Sequence, residues 1–404
     1  GPGTGKTTIV QCLIVGAQMR GEHWVLAAPT GRAAKRLSEA TGIEAQTIHR
    51  LLSYNGHTRK FTHNEDHQIA AHGILIDEAS MLDMWLMNSI LQACKNGTRL
   101  VLVGDIDQLP SVGSGRILGD IIESEKISVV RLTQVYRQAQ NSCIVINAHR
   151  INLGRTPISA EKISVEKVLE GTSSNTSNNS EPDKESMINF QNLKKDFFIL
   201  YKEEQLEIRN LLLRVIKERL PQNKGFDPLI DIQVLTPMHS GKLGTTILNT
   251  TLQDILNPNG KPYVYGTREF RVGDRVLQIR NDYDADIYNG DIGFVEDIID
   301  DGIVIRFDDR SIDRRGSQLQ ELELAYAISI HKSQGSEYRA AIVIVHNAHR
   351  IMLRRNLIYT AITRAKEFCC IIGHPWAISF CVSESSQEPR NTSLDAFLRD
   401  EIQL

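Results

Sequence analysis

The segment Gly73–Met81 reads GILIDEASM, a short apolar run that ends in two adjacent acids. Such a run has the length of a buried strand. Asp-Glu at its end is the arrangement in which Asp77 would hold Mg²⁺ through water and Glu78 would polarise an attacking water. Taken alone, the pattern fits a turn with two solvated carboxylates equally well. The segment that decides between the two readings lies upstream, where Gly1–Thr8 reads GPGTGKTT. That is the tail of the phosphate-binding pattern G-x-x-x-x-G-K-[ST]. Apolar Ile9, Val10, Leu13 and Ile14 follow at once at helical spacing, as such a loop requires. Glycines let backbone N–H groups converge on phosphate oxygens, Lys6 reaches the β and γ phosphates, and Thr7 can ligate the metal. Gly3, Thr4, Gly5, Lys6, Thr7 and Thr8 are therefore the expected nucleotide cradle, with Thr7 and Asp77 as metal ligands and ATP and Mg²⁺ as cofactors. The first glycine of the pattern would precede Gly1, so the reading expects a chain truncated inside the motif, without the strand that normally leads into it.

Working outward, Trp24–Ala28 reads as a further strand, followed by Pro29-Thr30-Gly31 at the start of a helix with small residues. A free helix N-terminus of this kind is a seat for a backbone phosphate. Arg99 to Val103 reads as another strand, running into Gly104-Asp105-Ile106-Asp107-Gln108. Strand ends of a parallel sheet share one crevice, so Asp105 and Gln108 are expected beside the γ-phosphate. The class is α/β, built on parallel sheets with helices on both faces. With 404 residues, 41% hydrophobic and 24% charged, the chain is long enough for two or three domains. Its net charge of −3 argues against a broad basic surface, so any grip on nucleic acid must be local. No apolar run approaches the roughly 20 residues of a membrane span. Six scattered cysteines without metal-ligand spacing point to a reducing, cytoplasmic setting.

Taken in order, GPGTGKTT, APTGRAAKRL, TIHRLL, LIDEASMLD and LVGDIDQLPSVGSG resemble motifs I, Ia, Ib, II and III of the RecD-like superfamily 1 DNA helicases. The second half agrees: Leu132–Gln138 (LTQVYRQ) looks like motif IV, Ala325–Tyr338 (AYAISIHKSQGSEY) like motif V and Ile358–Lys366 (IYTAITRAK) like motif VI, while Val234–Gly244 matches a segment typical of the family. The resemblance implies two tandem RecA-like domains that hydrolyse ATP in the cleft between them and ratchet along single-stranded DNA, 5′ to 3′, in repair or recombination. It implies arginine fingers at Arg137 and Arg364, a role worth about a thousandfold or more in rate. Pro29, Thr30, Gly31, Thr47, His49, His331 and Ser333 match positions lining the strand track. Gln334, Gly335 and Glu337 follow the motif V pattern that links track to nucleotide, with close backbone approach at Gly335 and a sugar or phosphate contact near Glu337.

The same resemblance orders the domains: residues 1–130 form the first RecA-like unit, 131–264 the first part of the second, 265–322 an SH3-like insert, and 323–404 the remainder. The insert also shows in the residues, as short alternating strands (Arg275–Ile279, Gly293–Ile299, Gly302–Phe307) separated by turns such as Asn289-Gly290-Asp291. Residues 172–186, TSSNTSNNSEPDKES, are too polar to bury a core and read as a disordered insertion. Expected partners are single-stranded DNA and single-strand/duplex junctions, with the protein a stand-alone monomer or part of a recombination nuclease complex. Three alternatives stay open: an RNA helicase, the motor half of a conjugative relaxase, and a nucleic-acid-binding subunit without turnover of its own.

Overall fold

A computed structural model of the chain describes residues 1–56, 58–134, 141–160, 193–282, 285–384, 390 and 392–399. Arg137 and the polar segment 172–186 lie outside the described residues. Two parallel sheets dominate. The first has the order Ala45–Thr47, Trp24–Ala28, Gly73–Ile76, Arg99–Leu102, every pair parallel. The second runs Ala327–Ser329, Ile232–Thr236, Tyr338–Val345, Ala365–Gly373, Phe197–Tyr201, again all parallel.

The central strands of both sheets are buried on both faces, which explains why they read as continuous apolar runs rather than alternating ones. Ile74 and Ile76 pack with Ile48, Leu86 and Ile90 on one face of the first sheet, whereas Leu75 and Leu26 pack with Val10, Ile14 and Trp24 on the other. In the second sheet Ala341, Val343 and Val345 face one core and Ala340, Ile342 and Ile344 the opposite one. The two RecA-like layers expected from the sequence are present.

Between strands of the second sheet the chain builds an antiparallel five-stranded barrel, ordered Arg310–Arg315, Gly302–Phe307, Ile292–Ile299, Arg275–Gln278, Leu322–Leu324. Phe270, Val276, Val295, Ile303, Ile305 and Leu322 fill it. Buried Asp274 ties the barrel to the sheet. Its carboxylate accepts hydrogen bonds from Gln253 (2.6 Å), Asn257 (2.7 Å) and the Tyr326 hydroxyl (2.7 Å). Burial still raises its pKa above the ordinary aspartate value.

Two stretches differ from simple periodicity. Glu204 to Leu220 reads as one helix, but the structure has Gln205–Arg214, a π-turn over Val215–Arg219, then Leu220–Lys224. Pro221 explains the break, because it lacks an N–H and its ring needs room at the preceding turn. Residues Tyr54 to His72 show no regular period in the sequence; there the chain forms a hairpin of two-residue strands, Tyr54–Asn55 against Lys60–Phe61.

Candidate functional site

The loop at the start of the first unit has the backbone its glycines allow: Gly3 (φ 71°) and Gly5 (φ 80°) are left-handed. Gly5 caps the helix Lys6–Met19 without a side-chain acceptor, which leaves first-turn N–H groups directed at the cleft. Lys6 Nζ lies 3.8 Å from Asp105 Oδ2, and the Tyr359 hydroxyl donates to the same oxygen at 2.9 Å. Gln108 Nε2 is 3.5 Å from it. Burial by itself would raise the Asp105 carboxyl, but the Lys6 charge and hydrogen bonds from the Tyr359 hydroxyl and the Asp107 N–H help hold it below the ordinary range.

Asp77 and Glu78 follow strand Gly73–Ile76 at the same sheet edge. Burial, then the neighbouring Glu78 charge, raises the Asp77 pKa; the Glu78 N–H, Lys6 and Arg36 offset this only in part. Glu78 adopts a left-handed backbone (φ 52°), a strained conformation for a residue with a side chain. Its Oε2 is buried without a hydrogen-bond partner among the described residues. Across the cleft, Arg364 Nη1 is 4.0 Å from Glu78 Oε1. That guanidinium is 3% exposed and donates to the carbonyls of Thr360 (3.2 Å) and Ser336 (3.1 Å), so the second unit holds it rigidly.

These groups surround a cavity of about 650 Å³. Of the residues singled out in the sequence, Gly3, Thr4, Gly5, Lys6, Thr7, Asp77, Glu78, Gln108, Glu337 and Arg364 line it. Thr8 is exposed and outside the lining. Gly335 is outside it too, and sits where the two units touch. A Cβ there would fall 2.6 Å from Thr30 Oγ1, and its φ of 70° is left-handed, so only glycine permits this approach.

The expected strand-track residues divide. Thr30 and Thr47 cap helices Gly31–Thr41 and Ile48–Leu51, accepting from Ala33 N (3.3 Å) and Arg50 N (3.2 Å). Gly31 lies under the Tyr288 side chain of the barrel, where a Cβ would meet its Cβ and Cδ2 at 2.8 Å. Gly31 and Thr47 border a second cavity of about 550 Å³, between the first unit and the barrel, with Arg32, Lys35 and Arg36 along one side. Arg50 reaches Asp286 (2.7 Å) and Tyr288 (3.2 Å), and Lys35 pairs with Asp308 (2.6 Å), across this gap. Pro29 and His331 are half-buried and outside the lining of both cavities. Burial, and then nearby His239, lowers the His331 pKa. Ser333 is fully buried and donates its hydroxyl to Ile330 O at 2.7 Å, so it presents no surface to a strand in this arrangement. His49 packs in an aromatic cluster with Tyr54 (5.5 Å between centroids), Phe61 (5.8 Å) and Trp85 (6.2 Å).

Reading the sequence missed Tyr359, Lys366, Arg32 and Arg36. The arginines carried one usable signal, their i, i+4 spacing on one face of helix Gly31–Thr41.

Three family models match parts of the chain. An AAA domain matches residues 1–171, the SH3 domain of ATP-dependent RecD-like DNA helicases matches residues 248–307, and a UvrD-like helicase C-terminal domain matches residues 324–372. The class is thus a helicase-type P-loop fold. RecBCD enzyme subunit RecD of Mycolicibacterium smegmatis is 30% identical over 401 residues, 92% of this chain and 67% of that protein. The chain belongs to the RecD-like helicase family. ATP-dependent RecD2 DNA helicase of Deinococcus radiodurans is 35% identical over 396 residues, which is 98% of this chain but 49% of that protein. The chain therefore spans about half to two thirds of the length of these relatives. A solved structure of Pif1 helicase at forked duplex DNA aligns with TM-score 0.51 and 18% identity, over 99% of this chain and 91% of that one. At that identity the likeness shows the fold.

Proposed function

We propose that this chain is the motor of an ATP-dependent DNA helicase that moves 5′ to 3′ on single-stranded DNA in repair or recombination, as a monomer or within a nuclease complex. The observation that carries the reading is Arg364. It lies just before strand Ala365–Gly373 of the second sheet and approaches Glu78, just after strand Gly73–Ile76 of the first, at 4.0 Å, across the cavity that the phosphate-type loop borders. An arginine supplied from a second unit beside a water-polarising carboxylate is the arrangement that makes hydrolysis depend on domain closure.

The residues fit a nucleotide with Mg²⁺. Among the described residues no group of three or more His, Cys, Asp or Glu could hold a metal alone, so phosphate oxygens would complete its shell, as is usual for Mg²⁺. Thr7 and Asp77 would hold it, and when bound it neutralises phosphate charge and offsets the burial that raises the Asp77 pKa. Lys6 and the first-turn N–H groups bind the phosphates. Glu78 Oε2, buried and unpaired among the described residues, accepts a hydrogen bond from the attacking water. Arg364 stabilises the charge that develops in the transition state. Arg137, outside the described residues, is assigned a second such role from the family pattern alone. Glu337, in the shared lining, is placed to meet the nucleotide, while Thr30, Gly31 and Thr47 offer helix N-termini to backbone phosphates of the strand.

The test is ATP turnover with single-stranded DNA against RNA of the same sequence, beside displacement of duplexes carrying a 5′ or a 3′ tail. Stimulation by DNA and displacement only from the 5′ tail are expected. Preference for RNA, or displacement from the 3′ tail, would overturn the assignment.

A further inference from the structure

The two cavities share a wall. Arg36, Glu39 and Glu337 border both, so the side chains that face the nucleotide on one side face the second cavity on the other. Arg36 projects from helix Gly31–Thr41 of the first unit and forms an ion pair with Glu337 of the second. It also donates to Gly335 O at 3.3 Å, while Lys366 holds the other oxygen of Glu337 at 3.2 Å. Arg36 and Asp77 line the same first cavity. The 335–338 loop is pinned to the same helix by Arg32, which donates to Ser336 Oγ and the Tyr338 hydroxyl at 3.1 Å each.

We propose that Arg36 is a positioning residue through which nucleotide in the first cavity and a single strand in the second sense each other. The inference rests on the nucleotide and single-strand reading given above. Its physical basis is competition for charge. Arg36 and Lys366 both border the first cavity, so a polyphosphate entering it draws on the cations that hold Glu337. Glu337 and Gly335 are then less firmly tied to helix Gly31–Thr41. Because Gly335 touches the Thr30 cap and Ser336 and Glu337 border the second cavity, loosening that tie changes the wall the strand meets. Linkage makes the effect reciprocal: the strand alters nucleotide affinity by the same factor.

The experiment measures the affinity of a labelled oligothymidylate for the full chain with and without a non-hydrolysable ATP analogue and Mg²⁺. The ratio of the two affinities is the coupling. For the unaltered protein a ratio of about fivefold or more is expected, within the usual range for coupled sites. Arg36→Gln and Glu337→Gln should each bring it within about twofold of unity, and the double variant should lose no more than either, as partners in one interaction do. Arg36→Lys, which keeps the charge, should retain it. A purely structural role would shift melting temperature and both affinities while leaving their ratio intact, and that result overturns the inference. So does an Arg36→Lys protein as uncoupled as Arg36→Gln. If the unaltered protein binds neither probe, the functional reading itself fails and this inference falls with it; if it binds both with a ratio of one, only the coupling is refuted.

Discussion

Replacing Arg364 by alanine separates the catalytic reading from a structural one, because the structure assigns that side chain two distinct kinds of interaction. Its guanidinium donates to two buried carbonyls, those of Thr360 and Ser336, and hydrogen bonds from a charged group contribute about 1.5–3 kcal/mol each. Their removal costs stability of the second unit. The approach to Glu78, 4.0 Å across the cleft, adds little in the resting arrangement but places the charge at the nucleotide. If Arg364 acts in the transition state, turnover falls about a thousandfold, or about 4 kcal/mol of barrier. Nucleotide affinity should change far less, since the loop and Lys6 belong to the other unit. The assay is steady-state ATP turnover with single-stranded DNA, measured below the variant's melting temperature and beside nucleotide affinity and thermal unfolding. Near-normal turnover in a folded Arg364→Ala protein would refute the placement of the catalytic cleft and leave Arg364 as a structural ion-pair residue.

Lys6→Ala should weaken nucleotide binding and turnover together, because Lys6 meets the phosphates in the ground state, whereas Glu78→Gln should bind ATP and DNA yet fail to turn over; equal binding and turnover defects in both would contradict the division of roles. Asp77 binds its proton more tightly folded than unfolded, so its stabilising contribution is present below the ordinary aspartate pKa and is lost as pH rises through the raised folded value. At neutral pH without Mg²⁺ the ionised carboxylate is therefore a cost, and Asp77→Asn should raise the melting temperature there while abolishing turnover; a lower melting temperature would show the opposite sign. Affinity for single strands should fall with salt at a log–log slope of roughly −0.7 per phosphate contact and depend little on base sequence, which titrations at several salt concentrations check. His49→Ala should cost about 0.5–1.5 kcal/mol of stability for each aromatic pairing that His49 makes in its cluster, read by denaturant unfolding, and should leave strand affinity within about twofold.

Features that depend on local pattern could be read from the residues alone. Glycines at 3 and 5 followed by Lys6 and a helical apolar run specify a phosphate loop, since glycine adopts without steric cost the left-handed turns that aim consecutive N–H groups at one point. Apolar runs such as Gly73–Ile76 and Ala340–Val345 specify strands buried on both faces, hence parallel sheets, and the turn-punctuated alternation after Tyr265 specifies the barrel. The extent of the break at Val215–Arg219 and the short hairpin at Tyr54–Phe61 were not legible, because a single wide turn shifts the helical period too little to show in a short run and two-residue strands carry none. Which distant side chains meet is settled by the docking of whole elements. Arg36 and Glu337 form a pair although 301 positions separate them, and Arg364 faces Glu78 across the cleft. The same holds for two residues picked out by motif: His49 is committed to an aromatic cluster, and Ser333 is buried with its hydroxyl on Ile330. Periodicity reports which face of one element is apolar, but whether a polar side chain reaches a cavity, a partner or its own turn depends on how whole elements dock, and that is set by packing between residues far apart in the chain.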